Sequence, residues 1–169
     1  MFDFDFHPTH TNAIEYAKNA YDIVNEVIQN INKTLKKIFT NPDISFVYCD
    51  KNIDKGVHLY YPNIIVDVNI HQYIYNDVLV QLLNKNKFQL TGENWKNIFD
   101  ACITIANGLR LPYFYKDSTY YKINNDKSTH DIPLTKYEKI KLCSIRTEKN
   151  KRISQIKNYN SIRTKNTKG

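Results

Sequence analysis

The chain opens Phe2, Asp3, Phe4, Asp5, Phe6, a strict alternation of rings and carboxylates. Successive side chains on a strand point to opposite faces, so this pattern predicts a β-strand with its rings on one side and both carboxylates on the other. His7, Pro8 and Thr9 end it. Beyond Thr11, Ile14, Ala17, Tyr21, Val24, Ile28, Ile31, Leu35 and Ile38 recur at intervals of three and four. That spacing predicts one long helix ending before Asn41 and Pro42. Such a stripe also suits a coiled coil, but flanking strands favour packing against a sheet.

Residues 44–49 and 57–68 read as two strands joined by the polar turn 50–55, the second bent or ended near Pro62. A second helix is predicted over 70–83, with Ile74, Val78 and Leu82 on one face. After a break at 84–87, Trp95 leads into strands near 98–105 and 109–115, joined through Asn107 and Gly108; a short helix near 134–145 follows a polar stretch. The order is β-α-β-β-α-β-β. The expected class is α+β, a split β-α-β sheet of the RRM-like or ferredoxin-like kind, with strands one and three central and strand four beside strand one.

Length and charge add a boundary. The 169 residues suit one domain over 1–147 followed by a flexible tail over 148–169. From Lys136 onward eleven Lys and Arg face two Glu, a local balance of +9, while the rest of the chain stands at −2. Such a tail can neutralise phosphates, but richness in Asn, Lys, Ile and Tyr is also what a codon bias toward A and T produces. No apolar run reaches the roughly 20 residues that cross a bilayer, and the first residues do not resemble a secretory signal; no membrane partner and an intracellular setting are expected. Cys49, Cys102 and Cys143 are odd in number and widely spaced, which indicates neither a disulfide framework nor a zinc site.

Candidate chemistry is concentrated on the central strands. Asp3 and Asp5 share a strand face about 7 Å apart, where they either line an exposed edge or share a hard divalent cation. Asp100, in an apolar setting, is either a helix-end or turn residue or, on the strand expected beside the first, a third carboxylate joining them; three carboxylates at one point repel unless cations neutralise them. His58 opens the third strand behind Gly56, which allows close approach to the backbone, and its imidazole is either a satisfied core group or a phosphate donor. Arg110 and Lys116 lie in an aromatic stretch, as a snorkelling pair or as a clamp on a triphosphate.

Taken in order, these residues resemble the three motifs of the archaeo-eukaryotic primase superfamily, closest to the catalytic domain of the helicase-primases of large DNA viruses and herpesviruses. Asp3-x-Asp5 is similar to the first motif and the segment from Gly56 through His58 to Pro62 to the second. The segment from Trp95 to Asp100, with its extension through Arg110 to Lys116, is similar to the third. The resemblance covers about residues 1–147. It implies that Asp3, Asp5 and Asp100 hold two Mg²⁺ or Mn²⁺ ions, and that Gly56, His58, Arg110 and Lys116 hold the incoming nucleotide. The implied function is that of a DNA primase or primase-polymerase, a nucleotidyltransferase working on a single-stranded DNA template with nucleoside triphosphates. A helicase or another replication subunit is an implied partner, and a viral setting implies the host cytoplasm or nucleus. Family members usually carry an α/β unit ahead of the Asp-x-Asp strand, and many carry a zinc module or a helicase domain downstream; this sequence shows none of these. Two rival readings stay open: a non-catalytic RRM-like nucleic-acid-binding module, and an inactive fragment or subunit of a larger helicase-primase.

Overall fold

The computed structural model describes residues 1–6, 19–52, 56–101, 111–116 and 118–144. The strands are β1 (Phe2–Phe4), β2 (Val47–Asn52), β3 (Gly56–Tyr60), β4 (Phe99–Asp100) and β5 (Lys122–Asn124), and the helices are α1 (Ala20–Ile38), α2 (Val68–Lys85), α3 (Gly92–Ile98) and α4 (Lys136–Cys143). They form an α+β fold in which one antiparallel sheet has the order β4-β1-β3-β2-β5. Its first four strands follow the split β-α-β order expected from the pattern, with β1 and β3 central.

One face of the sheet carries Phe2, Phe4, Tyr48, Val57, Leu59 and Phe99, which join the apolar stripes of α1 and α2 in the main core. Burying an aliphatic or aromatic side chain contributes about 1.5–3 kcal/mol, so this layer dominates stability. Between the helices the contact turns polar. Glu26 of α1 is 3% exposed and is held by Lys85 at 2.5 Å and Lys87 at 3.4 Å. Burial works to raise its carboxyl, but the two lysines and Asn30 outweigh it and hold the group below the usual carboxylate range. Two turns further along α1, Thr34 donates to Asp77 at 2.7 Å, and Gln81 donates to both.

A smaller cluster covers part of the opposite face, where Val47, Cys49 and Tyr60 meet Tyr121 and Cys143. Burial, with the Cys143 contact adding to it, pushes the Cys49 thiol up, so Cys49 behaves as buried packing rather than as a reactive thiol. Among the described residues no helix is long and apolar enough to cross a membrane.

Three expectations change. Residues 92–98 are helical rather than a lead-in to a strand: Thr91 and Asn94 cap each other, the Asn94 N–H donating to Thr91 Oγ1 at 3.2 Å and the Thr91 N–H to Asn94 Oδ1 at 3.1 Å. The described part of the expected strand 109–115 is instead a turn, because Pro112 has no N–H to donate and Tyr113 lies at φ +68°. The fifth strand is β5, on the far edge beside β2. The expected start of the first helix, the Asn107–Gly108 turn, Arg110, Cys102 and the tail 148–169 lie outside the described residues.

Candidate active site

Backbone register brings the candidate residues together. Asp3 lies opposite His58 of β3 on one side and opposite Asp100 of β4 on the other. Directly opposed residues of an antiparallel pair share a face, so all three project away from α1 and α2 while Phe2, Phe4 and Phe99 point into the core. The alternation continues past β1. The Asp5 N–H donates to the Ile98 carbonyl at 2.9 Å, and Asp5 is exposed between buried Phe4 and Phe6.

Around Asp3 the contacts are close. His58 Nε2 stands 3.1 Å from Asp3 Oδ1, with the histidine side chain 5% and the aspartate side chain 23% exposed. That charge contact is the close polar neighbour of the buried Oδ1, which makes no hydrogen bond among the described residues. On its other edge His58 Nδ1 lies 3.3 Å from the Tyr60 hydroxyl. Burial, first among several causes, pushes the Tyr60 phenol far above its ordinary value. The Tyr60 hydroxyl can donate to Nδ1 in the tautomer that carries its proton on Nε2, or accept from Nδ1–H in the other. The ring also stacks on Tyr121, with centroids 3.6 Å apart and planes within 19°.

Tyr121 explains Gly56. A Cβ on Gly56 would meet the Tyr121 hydroxyl at 2.8 Å and the Phe4 carbonyl oxygen at 3.1 Å. The group that approaches this backbone is therefore the chain's own tyrosine. Gly56→Ala is expected to cost about 1–3 kcal/mol of stability by overpacking, and Tyr121→Phe in the same background should recover part of it. Equal denaturation midpoints for wild type and Gly56→Ala would remove this account.

Lys116 is exposed, its backbone paired with Thr119 by hydrogen bonds of 2.8 and 3.0 Å, and its side chain forms no ion pair among the described residues. Another cation lies against the ring that stacks on His58: Lys51 of β2 has its ammonium 5.3 Å from the centre of the Tyr121 ring. Neither Tyr121 nor Lys51 stood out in the sequence. Tyr121 follows a polar stretch without periodicity, and Lys51 lies in what reads as a turn.

Compared with protein families, residues 1–125 match the C962R protein N-terminal AEP domain, AEP denoting archaeo-eukaryotic primase. The chain belongs to this family. No curated protein and no solved structure matches it. The matched span includes every residue singled out as a candidate, Arg110 and Lys116 among them, and the family is one of primase-type nucleotidyltransferases that bind nucleic acid and nucleotides.

AEP domains generally use divalent metal, and the residues of this chain can be tested for fit. Among the described residues no three His, Cys, Asp or Glu side chains converge closely enough to cage an ion. What is present is a facing pair of carboxylates, Asp3 and Asp100, with one buried Asp3 oxygen poorly satisfied. Mg²⁺ is commonly held in that way, by one or two carboxylates, with water and substrate phosphates completing its octahedron. The donor set fits a hard cation that arrives with a nucleotide.

Proposed function

We propose that this AEP domain catalyses template-directed nucleotidyl transfer, as a primase or primase-polymerase acting with two divalent ions in viral-type DNA replication. The observation that carries the reading is the direct opposition of Asp3 and Asp100 across β1 and β4, with His58 on the other flank of Asp3. Like charges directly opposite each other destabilise a sheet by roughly 0.2–1 kcal/mol, a cost that a bound cation removes. Asp3 and Asp100 would hold the ions, with Asp5 the next carboxylate on the same face. When bound, the cations supply Lewis-acid activation of a 3′-hydroxyl and charge neutralisation at the leaving pyrophosphate.

The chain's own residues do the rest. With the Tyr60 hydroxyl donating to Nδ1, His58 Nε2–H orients Asp3 and meets a phosphate oxygen brought beside it. Gly56 lets Tyr121 seat against this strand and hold the imidazole in place. Lys51, Lys116 and Arg110 are the cations we assign to the triphosphate, where positive charge stabilises the departing phosphates. Support for the motif assignment comes from its order along the chain and from the family match over residues 1–125. We take 1–147 as the catalytic core and 148–169 as a basic tail, and a helicase or a second replication subunit as the partner chain.

The test is primer synthesis and extension on a single-stranded template with nucleoside triphosphates. Activity is expected with Mg²⁺ or Mn²⁺, none in EDTA, and a fall of roughly 10–100-fold in His58→Ala, the usual effect of losing a group that orients a metal ligand. Full activity in EDTA, or a His58→Ala protein matching wild type, would refute the assignment. Exposed rings near β5 favour a second reading, a non-catalytic single-strand-binding module. Tight template binding by a wild type that makes no product with either metal is its signature.

A further inference from the structure

Besides Lys116 and Tyr121, the segment between Pro112 and Lys122 carries three tyrosine rings that the carboxylate site does not use. The Tyr113 N–H donates to the Tyr121 carbonyl at 2.9 Å, and Lys116 pairs with Thr119, so the segment folds back on itself. Tyr120 then lies between Tyr113, 6.3 Å away, and Tyr115, 4.6 Å away with the planes tilted by 53°. The tilt leaves ring faces that are not spent on each other. Two ammonium groups lie over these rings, each on one face: Lys122 Nζ is 5.2 Å from the centre of Tyr120 and Lys136 Nζ, from the start of α4, is 5.9 Å from the centre of Tyr113. Tyr115 is 71% exposed and Tyr137, beside Lys136, is 74% exposed. Neither Lys122 nor Lys136 forms an ion pair among the described residues. The chain also holds Tyr113, a bulky side chain, at φ +68°, a backbone conformation that favours glycine.

We infer that Tyr113, Tyr115 and Tyr120, with Lys122 and Lys136, form a docking surface for single-stranded nucleic acid, with bases stacked on the rings and phosphates beside the lysines. The inference rests on the AEP reading for the kind of polymer, but not on the carboxylates or their chemistry. Ring faces interleaved with ammonium groups match an unpaired strand, which offers a π-face and a phosphate at every step. They do not match a protein partner, because Lys is depleted from the cores of protein interfaces. A duplex hides its base faces and would use the lysines alone.

The experiment is fluorescence anisotropy of labelled oligodeoxythymidine with the full chain, without nucleotide or divalent ion. A duplex and an abasic strand of the same length are run in parallel. Tyr115→Ala, at an exposed position where folding is checked by thermal melting, is expected to weaken oligodeoxythymidine binding roughly tenfold and to leave the abasic strand unaffected. Lys122→Ala with Lys136→Ala should flatten the slope of log K against log salt by about 0.7 for each phosphate no longer neutralised, on both strands. Because binding is read in EDTA, where the metal-dependent chemistry does not run, a failed primer assay and a failed docking surface remain separate results. Unchanged affinity in Tyr115→Ala and Tyr120→Ala, or equal losses on the thymidine and abasic strands, overturns the inference. In that case the rings serve a protein partner or none.

Discussion

Asp3→Asn is expected to abolish primer synthesis while leaving the protein as stable as wild type or slightly more so. The two halves of this expectation have one cause. Asp3 faces Asp100 directly across the β1–β4 pair, and like charges in that relation cost roughly 0.2–1 kcal/mol. Asparagine has the same shape and keeps an oxygen toward His58, but it removes the repulsion and with it the main attraction for a cation. Metal-assisted charge stabilisation is worth several kcal/mol in a transition state, so a loss of roughly a thousandfold or more is expected in turnover. Thermal melting supplies the counterpart. Mn²⁺ should raise the melting temperature of wild type, because a ligand that binds only the folded state stabilises it, and should leave Asp3→Asn unmoved. A variant that retains activity, or that responds to Mn²⁺ as wild type does, would take Asp3 out of the metal site.

The second large effect is on the fold. Phe99→Ala is expected to cost about 3–5 kcal/mol, the usual range for emptying a buried aromatic site. Phe99 is fully buried, and its ring stands 5.8 Å from Phe2, 5.3 Å from Phe4 and 4.7 Å from Tyr75. Its carbonyl also accepts from the Tyr75 hydroxyl at 2.9 Å. Domains of this size are stable by about 5–15 kcal/mol, so the loss is a large share of the total. It reaches the site as well. β4 has two residues, its sheet pairing among the described residues is to β1, and of the two Phe99 is the one buried in the core. With that anchor removed, Asp100 loses its position opposite Asp3, and activity should fall below what the unfolded fraction explains. Urea denaturation of Phe99→Ala and Phe99→Leu makes the comparison, with leucine expected to retain much of the stability. A cost below about 1 kcal/mol for alanine would mean that β4 is not held by this packing.

The fold and the site were legible to different depths. Alternation at Phe2–Phe6 and the three-and-four spacing from Val24 to Ile38 are local signals, written by residues that must share one face of one element, whereas Tyr21 of the expected stripe is exposed. From them, and from connectivity, follow the α+β class, the central place of the first and third strands, and the neighbourhood of Asp3, His58 and Asp100. Seven residues of helix running straight into a two-residue strand present too little periodicity to separate the two. Likewise β5 has three residues, and nothing local says which edge of the sheet it joins.

By itself the sequence determined which residues face together on each element and in what order the elements and motifs come, because these depend on backbone periods of two and 3.6 residues. Only the tertiary structure decided that Asp3 stands in register with both Asp100 and His58, that Tyr121 closes over the imidazole and takes the space beside Gly56, and that three tyrosines gather beside two lysines. Register between strands nearly a hundred residues apart is set by how rings such as Phe4 and Phe99 fill a shared core, and a one-residue slip would turn every carboxylate to the other face.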